Sequence, residues 1–347
     1  MCAATSYLAD VGDKNTRGIF LVIVKLSLNI GVFIVMLLGA CVTYNQMNLI
    51  LLLLPLIFIF IFPFMPDSTN LKKGGESSLF SAKKEKERKE EETLLKNEEN
   101  QETLGMKIVE EPITNIGIRL RNLFTRKNNQ RAFIIISLIF ITEALSGHAA
   151  VMAFTEEILD CSEYSLSAEY ASLVVAAMKI IASLLSTQII ERIDRKILFL
   201  SSGILAIISQ AIVGIFFWVK FHIKMDVSSM NWIPLFAITV YEMVGNTGIG
   251  SMGLVYSGEL FSPDVKGIGI TLTNISFELA AFFVKLQFRA VVSNYGIASA
   301  FFSFAISCAV GTVTVFYLAP ETKNKSLKEI QKIMVSESTV CLKAEKV

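Results

Sequence analysis

The stretch LILLLLPLIFIFIFPF (residues 49–64) consists only of apolar side chains and proline. Such a run suits the hydrocarbon core of a bilayer, which a helix of about 20 mainly apolar residues can cross. Seven further stretches of this kind surround it, so we predict an all-α polytopic membrane protein with about eight transmembrane helices. The predicted spans cover residues 18–41, 46–65, 132–154, 168–190, 196–219, 232–257, 268–291 and 298–319.

The composition of the whole chain agrees with this class. Of 347 residues, 53% are hydrophobic and only 18% are charged, whereas soluble domains carry about a quarter charged residues. This excludes an ordinary soluble enzyme, a disordered chain and a disulfide-stapled secreted domain. No histidine–carboxylate cluster, phosphate loop or nucleophile elbow occurs, so we predict no catalytic group, cofactor, metal site or nucleic-acid partner.

The distribution of basic residues predicts the orientation. Lysine and arginine concentrate next to alternate spans, and such residues favour the cytoplasmic side. We therefore expect both termini in the cytoplasm, in a protein integral to the plasma membrane and without a cleaved signal peptide. Cys41 and Cys161 would lie near the outer face, where they either pair or remain free, and scattered free thiols are the favoured interpretation.

An acid–base pair before the first span recurs before the seventh. Asp10 precedes Arg17-Gly18 with the same spacing that separates Glu259 from Lys266-Gly267. Each pair precedes two spans, and these are followed by a proline, an acidic residue and a serine or threonine. An acid and a base at a cytoplasmic helix connection can meet and clamp the neighbouring helix ends, and finding the pair twice in the same order predicts two parallel repeats.

The two predicted repeats are unequal. The second has a full set of spans before its acid–base pair, and the first has only residues 1–9. We expect a fragment, a short isoform, or a chain that works without three spans and most of a fourth. The predicted layout is a remnant of an N-terminal bundle of about two spans (1–65), a charged cytoplasmic linker (66–130), a C-terminal six-helix bundle (131–320) and a cytoplasmic tail (321–347).

Six short motifs follow one another in a fixed order. They are YLAD (7–10) with Arg17-Gly18, MPDS (65–68), LSG (145–147), ERIDRK (191–196), ELF (259–261) with Lys266-Gly267, and PETKNK (320–325). Together they resemble the motifs of the major facilitator superfamily sugar porters, and among these the insect facilitated trehalose/glucose transporter-like proteins. The resemblance implies alternating access: two bundles rock about a central sugar site and open it to either side in turn.

The resemblance also implies a cytoplasmic gate. In the family, acidic and basic motifs on this side keep the cytoplasmic end closed while the protein is open to the outside. The corresponding residues are Asp10, Arg17, Glu191, Arg192, Arg195, Glu259, Lys266 and Glu321. A simpler interpretation, that the basic residues only obey the positive-inside rule, leaves the acids paired with them unexplained.

The positions that hold sugar in the family have changed here. Counted from the motifs, they are Lys25, Glu143, Ser146, Lys179, Asn246, Ser276 and Phe277. Three have become ionisable, and a charge at mid-membrane costs about 2.5–3.5 kcal/mol even on insertion scales. These charges should therefore face the bundle interior, and we predict that Glu143 pairs with Lys179. Glu242 adds a further charge, as do Glu278 and Lys285, which share a helix face.

Two interpretations of these changes stay open. In one, the charged cavity selects a different solute, which is charged or coupled to protons. In the other, substrate selection has relaxed and the charges are tolerated remnants. Separately, the favoured interpretation of His148 is a packing residue rather than a proton relay. The predicted function is sugar transport across a lipid bilayer. The alternative is a non-transporting sensor, or a subunit that modulates a full-length paralogue.

Overall fold

The computed structural model describes residues 17–61, 116–163, 167–262, 264–323, 325 and 329–330. This part of the chain consists of helices and turns, without a strand. Its α-helices are α1 (Arg17–Cys41), α2 (Tyr44–Ile61), α3 (Ile116–Thr125), α4 (Lys127–Leu145), α5 (His148–Asp160), α6 (Ala168–Arg192), α7 (Arg195–Trp218), α8 (Ile233–Thr247), α9 (Ile249–Glu259), α10 (Lys266–Tyr295) and α11 (Ile297–Leu318).

Seven segments in this part of the chain are long and apolar enough to cross a membrane. They are Ile23–Cys41, Tyr44–Ile61, Lys127–Asp160, Ala168–Ile190, Arg195–Ile223, Lys266–Tyr295 and Ile297–Leu318. Each matches a predicted span, which confirms the helical membrane class. The predicted span 232–257 differs, because it is divided into α8 and α9, and neither alone has the roughly 20 residues that a crossing needs.

Two predicted spans are interrupted by a glycine. Gly147 separates α4 from α5 with φ of 84°, a left-handed conformation that other residues adopt only at a cost. Gly248 separates α8 from α9 with φ −106° and ψ −84°, and a β-carbon there would collide with the Ser202 side chain of α7. A close approach between helices therefore requires glycine at the second break, and a hydropathy pattern does not record such an approach.

The described residues divide into two compact units. One runs up to Met47 and resumes at Arg119, and the other comprises Asn48–Ile118. In the second unit, α2 carries apolar side chains around its whole circumference, and none of them is buried. A helix that is apolar on all sides and exposed suits a lipid environment.

Close helix packing forms the core of the first unit. In this unit α7 lies against α11 and α8, α1 against α6, and α10 against α4. Small residues permit the close approach: a β-carbon at Gly203 of α7 would collide with Thr312 of α11. Large side chains such as Phe217 and Phe301 are fully buried, whereas the outer faces of the helices expose isoleucine, leucine and phenylalanine. Membrane proteins share this pattern of small residues inside and apolar residues outside.

Candidate functional site

A buried acid at the centre of the first unit contacts two basic groups. Glu242 of α8 is 1% exposed, and its Oε2 lies 2.8 Å from Lys179 Nζ on α6 and 3.4 Å from His148 Nδ1 on α5. The prediction that Lys179 pairs with Glu143 is therefore wrong. Helix rotation decides which acid meets the lysine, and α8 presents Glu242 directly opposite it.

The Lys179–Glu242 pair is close, and its atoms have few other partners. Among the described residues, Lys179 Nζ and the Glu242 carboxylate meet no hydrogen-bonding group besides each other and His148. Buried polar groups normally satisfy their hydrogen bonds, so these atoms keep the capacity to bind water or the hydroxyl group of a ligand.

A second ion pair joins α1 to α4. Lys25 Nζ lies 3.9 Å from Glu143 Oε1, and both side chains are about nine-tenths buried. Gly250 of α9 packs directly against this pair, because a β-carbon on it would overlap both charged groups. Lys25 is also within electrostatic range of Lys179 and Glu242. The four charges form one buried cluster whose formal charges cancel, and we call it the central charge cluster.

A network of polar side chains lies one helical turn beyond the cluster. Asn29 of α1 donates to Ser183 Oγ at 2.6 Å and to Asn246 Oδ1 at 3.1 Å. Asn246 in turn donates to Ser183 Oγ at 2.5 Å and to the Lys179 carbonyl at 3.2 Å. The network links α1, α6 and α8, so the predicted site residue Asn246 lies next to the cluster.

Sequence reasoning missed Asn29 and Ser183, although a signal was present. Each follows a lysine of the cluster by four residues, as Asn246 follows Glu242. Residues four apart share a helix face. Three helices that each carry a charge and a polar residue at this spacing would have indicated one polar layer.

Ser146 lies where α4 ends, and its polar groups hold the break between α4 and α5. The Ser146 carbonyl accepts from Tyr241 Oη at 2.8 Å and from Gln210 Nε2 at 2.5 Å, while its hydroxyl donates to the Glu143 carbonyl at 2.7 Å. Gln210 is 1% exposed, and its Oε1 has no partner among the described residues. Gln210 therefore keeps one buried acceptor available beside the break between α4 and α5.

The two predicted site residues of α10 lie outside the cluster. The Ser276 hydroxyl donates to the Leu272 carbonyl within the helix at 3.0 Å. The ring of Phe277 packs against Phe140, with centroids 5.8 Å apart. Phe140 precedes Glu143 by about one turn of α4, so Phe277 supports the helix that carries the cluster.

A small cavity adjoins the cluster. It has a volume of about 20 Å³ and is lined by Lys179, Glu242, Thr155, Met152 and Met36, among others. About 10–15 Å³ accommodates one water molecule, so a hexose does not fit here. The described helices are therefore closed around Lys179 and Glu242, and a larger solute at this place requires them to move apart.

The predicted cytoplasmic gate contains an acid at a helix N-terminus. Glu321 follows α11, and its carboxylate accepts the backbone N–H groups of Arg195 at 3.2 Å and Lys196 at 3.1 Å. These amides begin α7 and have no partner within the helix. The positive end of the helix dipole also attracts the carboxylate.

Glu259, at the end of α9, connects the same region. Its carboxylate lies 3.4 Å from the Arg195 guanidinium and accepts from the Thr322 hydroxyl at 2.6 Å. Lys323 Nζ donates to the Arg192 carbonyl at 2.7 Å. Arg192, Arg195, Glu259 and Glu321 thus lie together, with Thr322 and Lys323 as members that sequence reasoning did not include.

The other predicted gate residues are placed as follows. Lys266 is buried at the start of α10. Asp10 lies outside the described residues, as do the side chains of Arg17 and Glu191. Cys41 and Cys161 are free thiols, in agreement with the favoured interpretation of the cysteines.

A family model described as "Sugar (and other) transporter" matches residues 1–334. The chain belongs to the sugar transporter family. Its residues are 28% identical over 214 residues to the facilitated trehalose transporter Tret1 of Aedes aegypti, covering 62% of this chain and 26% of that protein. They are 29% identical over 213 residues to the Tret1-2 homologue of Drosophila simulans, covering 61% and 43%. The chain thus spans less than half the length of these curated relatives.

A solved structure of similar fold agrees with this family. The xylose transporter XylE from E. coli, bound to 6-bromo-6-deoxy-D-glucose, superimposes with a TM-score of 0.68 over 95% of this chain and 70% of that one. Sequence identity is 15%, so the likeness concerns the fold. It confirms the predicted major-facilitator-type helical bundle.

Proposed function

We propose that this chain carries a neutral sugar across a membrane by alternating access. The observation that carries the proposal is the family match over residues 1–334 together with a buried polar cluster next to two broken helices. Broken membrane helices commonly form the solute sites of transporters, because the break frees polar groups at mid-membrane. The names of the relatives, which are trehalose transporters, support a sugar as the solute.

The chemistry of the central charge cluster supports a neutral polyhydroxylated solute. Two lysines and two glutamates cancel in formal charge, so a neutral solute leaves the electrostatic balance of the cluster unchanged. Ammonium groups donate to sugar hydroxyls and carboxylates accept from them, and such charge-assisted hydrogen bonds are stronger than neutral ones. Lys179 Nζ and the Glu242 carboxylate keep further N–H donors and oxygen lone pairs for these contacts.

Transport requires two movements from the closed arrangement. The cavity must widen from about 20 Å³, and the breaks at Gly147 and Gly248 are where the spans can bend. On the cytoplasmic side, Glu321 must leave the N-terminus of α7 before the inside opens. The gate contacts therefore favour the state that is closed to the cytoplasm.

The orientation and location of the protein form part of the proposal. Both termini lie in the cytoplasm of a protein in the plasma membrane. The positive-inside pattern and the basic cytoplasmic gate support this orientation. It places Cys41 and Cys161 on the outer side.

Uptake of radiolabelled glucose and trehalose into cells that express the chain tests the function. Saturable uptake above vector controls is expected, and it should fall in the Lys25→Gln variant, which removes one positive charge and its charge-assisted hydrogen bonds from the cluster. Surface biotinylation verifies that both proteins reach the plasma membrane. Correctly located protein without uptake of either sugar would overturn the proposal and favour the non-transporting alternative.

A further inference from the structure

The short helix α3 and the first turn of α4 carry positive charge only. Residues 116–131 contain five basic residues and no acidic one. Among the described residues, Arg126 pairs with Asp264 at 3.1 Å. The exposed side chains of Arg119, Arg121 and Lys127 form no ion pair with the described part of the chain. We call these three residues the basic surface, and its charge is available to an anionic partner.

The same helix exposes large apolar side chains. Leu120 is 39% exposed and Phe124 is 48% exposed, and at about 100° per residue they lie only about 40° apart on one side of α3. Arg119 and Arg121 lie about 100° to either side of Leu120. A helix that presents leucine and phenylalanine between basic residues is typical of a segment that lies in the membrane interface.

The contacts of α3 place its apolar side where α4 enters the bilayer. The Phe124 ring packs edge-on against Phe133 of α4, with centroids 5.6 Å apart. The next residue, Ile134, is 55% exposed and belongs to the membrane-spanning segment Lys127–Asp160. The exposed apolar side chains of α3 therefore lie beside the start of a span, at the depth of the lipid headgroups.

The connection between the two helices is held in place. Arg126 has φ −82° and ψ 116°, an extended conformation that ends α3 and lets α4 begin in a new direction. Leu123 of α3 is fully buried, and the Gln130 side chain of α4 donates to the Phe124 carbonyl. The basic and apolar side chains are thus carried by a backbone that is ordered in advance, which lowers the cost of binding a partner.

We propose that α3 is a docking surface for anionic phospholipids, whose headgroups meet the basic surface while Leu120 and Phe124 insert among the upper acyl chains. An acidic protein would also complement the arginines, but Leu120 and Phe124 lie beside a membrane span, where lipid is always present. In the proposed orientation α3 lies on the cytoplasmic side, whose leaflet is rich in anionic lipid and attracts basic segments next to a span. The inference goes beyond the proposed function, because it requires no particular solute.

Fluorescence quenching by brominated lipid tests this surface in the full-length chain. The two native tryptophans, Trp218 and Trp232, are replaced by phenylalanine, and Phe124→Trp places the remaining reporter on α3. The protein is reconstituted into phosphatidylcholine nanodiscs that contain a fixed fraction of lipid brominated in its upper acyl chain. The brominated lipid is phosphatidylcholine, phosphatidylserine or phosphatidylglycerol, so that only the headgroup differs between samples.

Both anionic lipids should quench the reporter with an apparent association at least about threefold stronger than that of phosphatidylcholine, because each basic residue near the surface attracts anionic lipid. The Arg119→Gln/Arg121→Gln double variant should lose this preference. A matched control, Lys224→Gln/Lys325→Gln, removes the same charge from two exposed lysines outside α3 and should keep it. The preference should also weaken at high salt, which screens exposed charges.

Three outcomes would overturn the proposal. Equal quenching by all three lipids would mean that α3 does not select anionic lipid, and no quenching by any would mean that protein covers it. A preference that persists without both arginines would belong to a different surface. Leu120→Trp leaves the contact between Phe124 and Phe133 intact and gives the same readout if Phe124→Trp fails to fold.

The measurement is independent of transport. A chain that selects anionic lipid but takes up no sugar would retain the docking surface and refute sugar transport. A chain with saturable uptake and no lipid preference would refute the docking surface alone.

Discussion

Replacing Glu242 by glutamine should strongly destabilise the protein, and adding Lys179→Gln should restore most of the loss. Lys179 is 4% exposed and Glu242 is 1% exposed, and their charged atoms are 2.8 Å apart. Removing one partner of such a buried pair typically costs about 3–5 kcal/mol, because the remaining charge is left uncompensated. Removing both leaves two neutral amides, and we expect a net loss below about 1 kcal/mol.

The surroundings of the pair predict an asymmetry between the single variants. Glu242→Gln leaves two lysines beside one glutamate, so the full cost applies. In Lys179→Gln, His148 Nδ1 still lies 3.4 Å from the Glu242 carboxylate and supplies a second partner. We therefore expect a smaller loss of about 1–3 kcal/mol for Lys179→Gln.

The free energy of unfolding of purified protein in mixed micelles, measured by SDS titration, gives these values. A Glu143→Gln and Lys179→Gln double variant is the matched control, because Glu143 pairs with Lys25 instead. It should be no more stable than the Lys179→Gln single variant. Additive losses in the Glu242/Lys179 cycle, or rescue of Lys179→Gln by Glu143→Gln, would refute the assigned pairing.

Three further results are expected. Glu321→Gln should weaken the contact with the α7 N-terminus by about 1 kcal/mol and lower the thermal midpoint by roughly 2–4 °C in differential scanning fluorimetry. Gly147→Ala should cost at least about 1–2 kcal/mol, because its φ is 84° and its β-carbon would meet Phe304. Gly245→Ala in α8 has free space and should be neutral or stabilising in the same assay. Partial burial raises the pKa of the Cys161 thiol. In a Cys41→Ser background, labelling of intact cells by an impermeant maleimide should therefore be slow at pH 7 and accelerate as the pH rises through that pKa. No labelling at any pH would contradict the outer location of Cys161.

The membrane spans could be predicted from the sequence because lipid imposes a length and a polarity on each helix separately. The run at residues 49–64 needs no partner to be recognised, and α1, α10 and α11 match their predicted bounds to within a few residues. The family could be predicted too, since its motifs keep their order along the chain.

The pairing of the buried charges could not be predicted in the same way. Depth along a helix follows from residue number, but the partner of Lys179 depends on how α6 and α8 are rotated about their axes. A one-residue change in that rotation turns a side chain by about 100°. The need for glycine at the Gly248 break likewise follows from Ser202 of another helix. Both features arise from packing between elements distant in sequence.

Counterflow in proteoliposomes tests the central claim most directly. Purified full-length protein is reconstituted into vesicles loaded with unlabelled glucose or trehalose, and labelled sugar is added outside at low concentration. The account predicts a transient, saturable accumulation of label that protein-free vesicles lack, because one site must be exposed to the two sides in turn. Well-folded protein that produces no counterflow with either sugar would contradict the account.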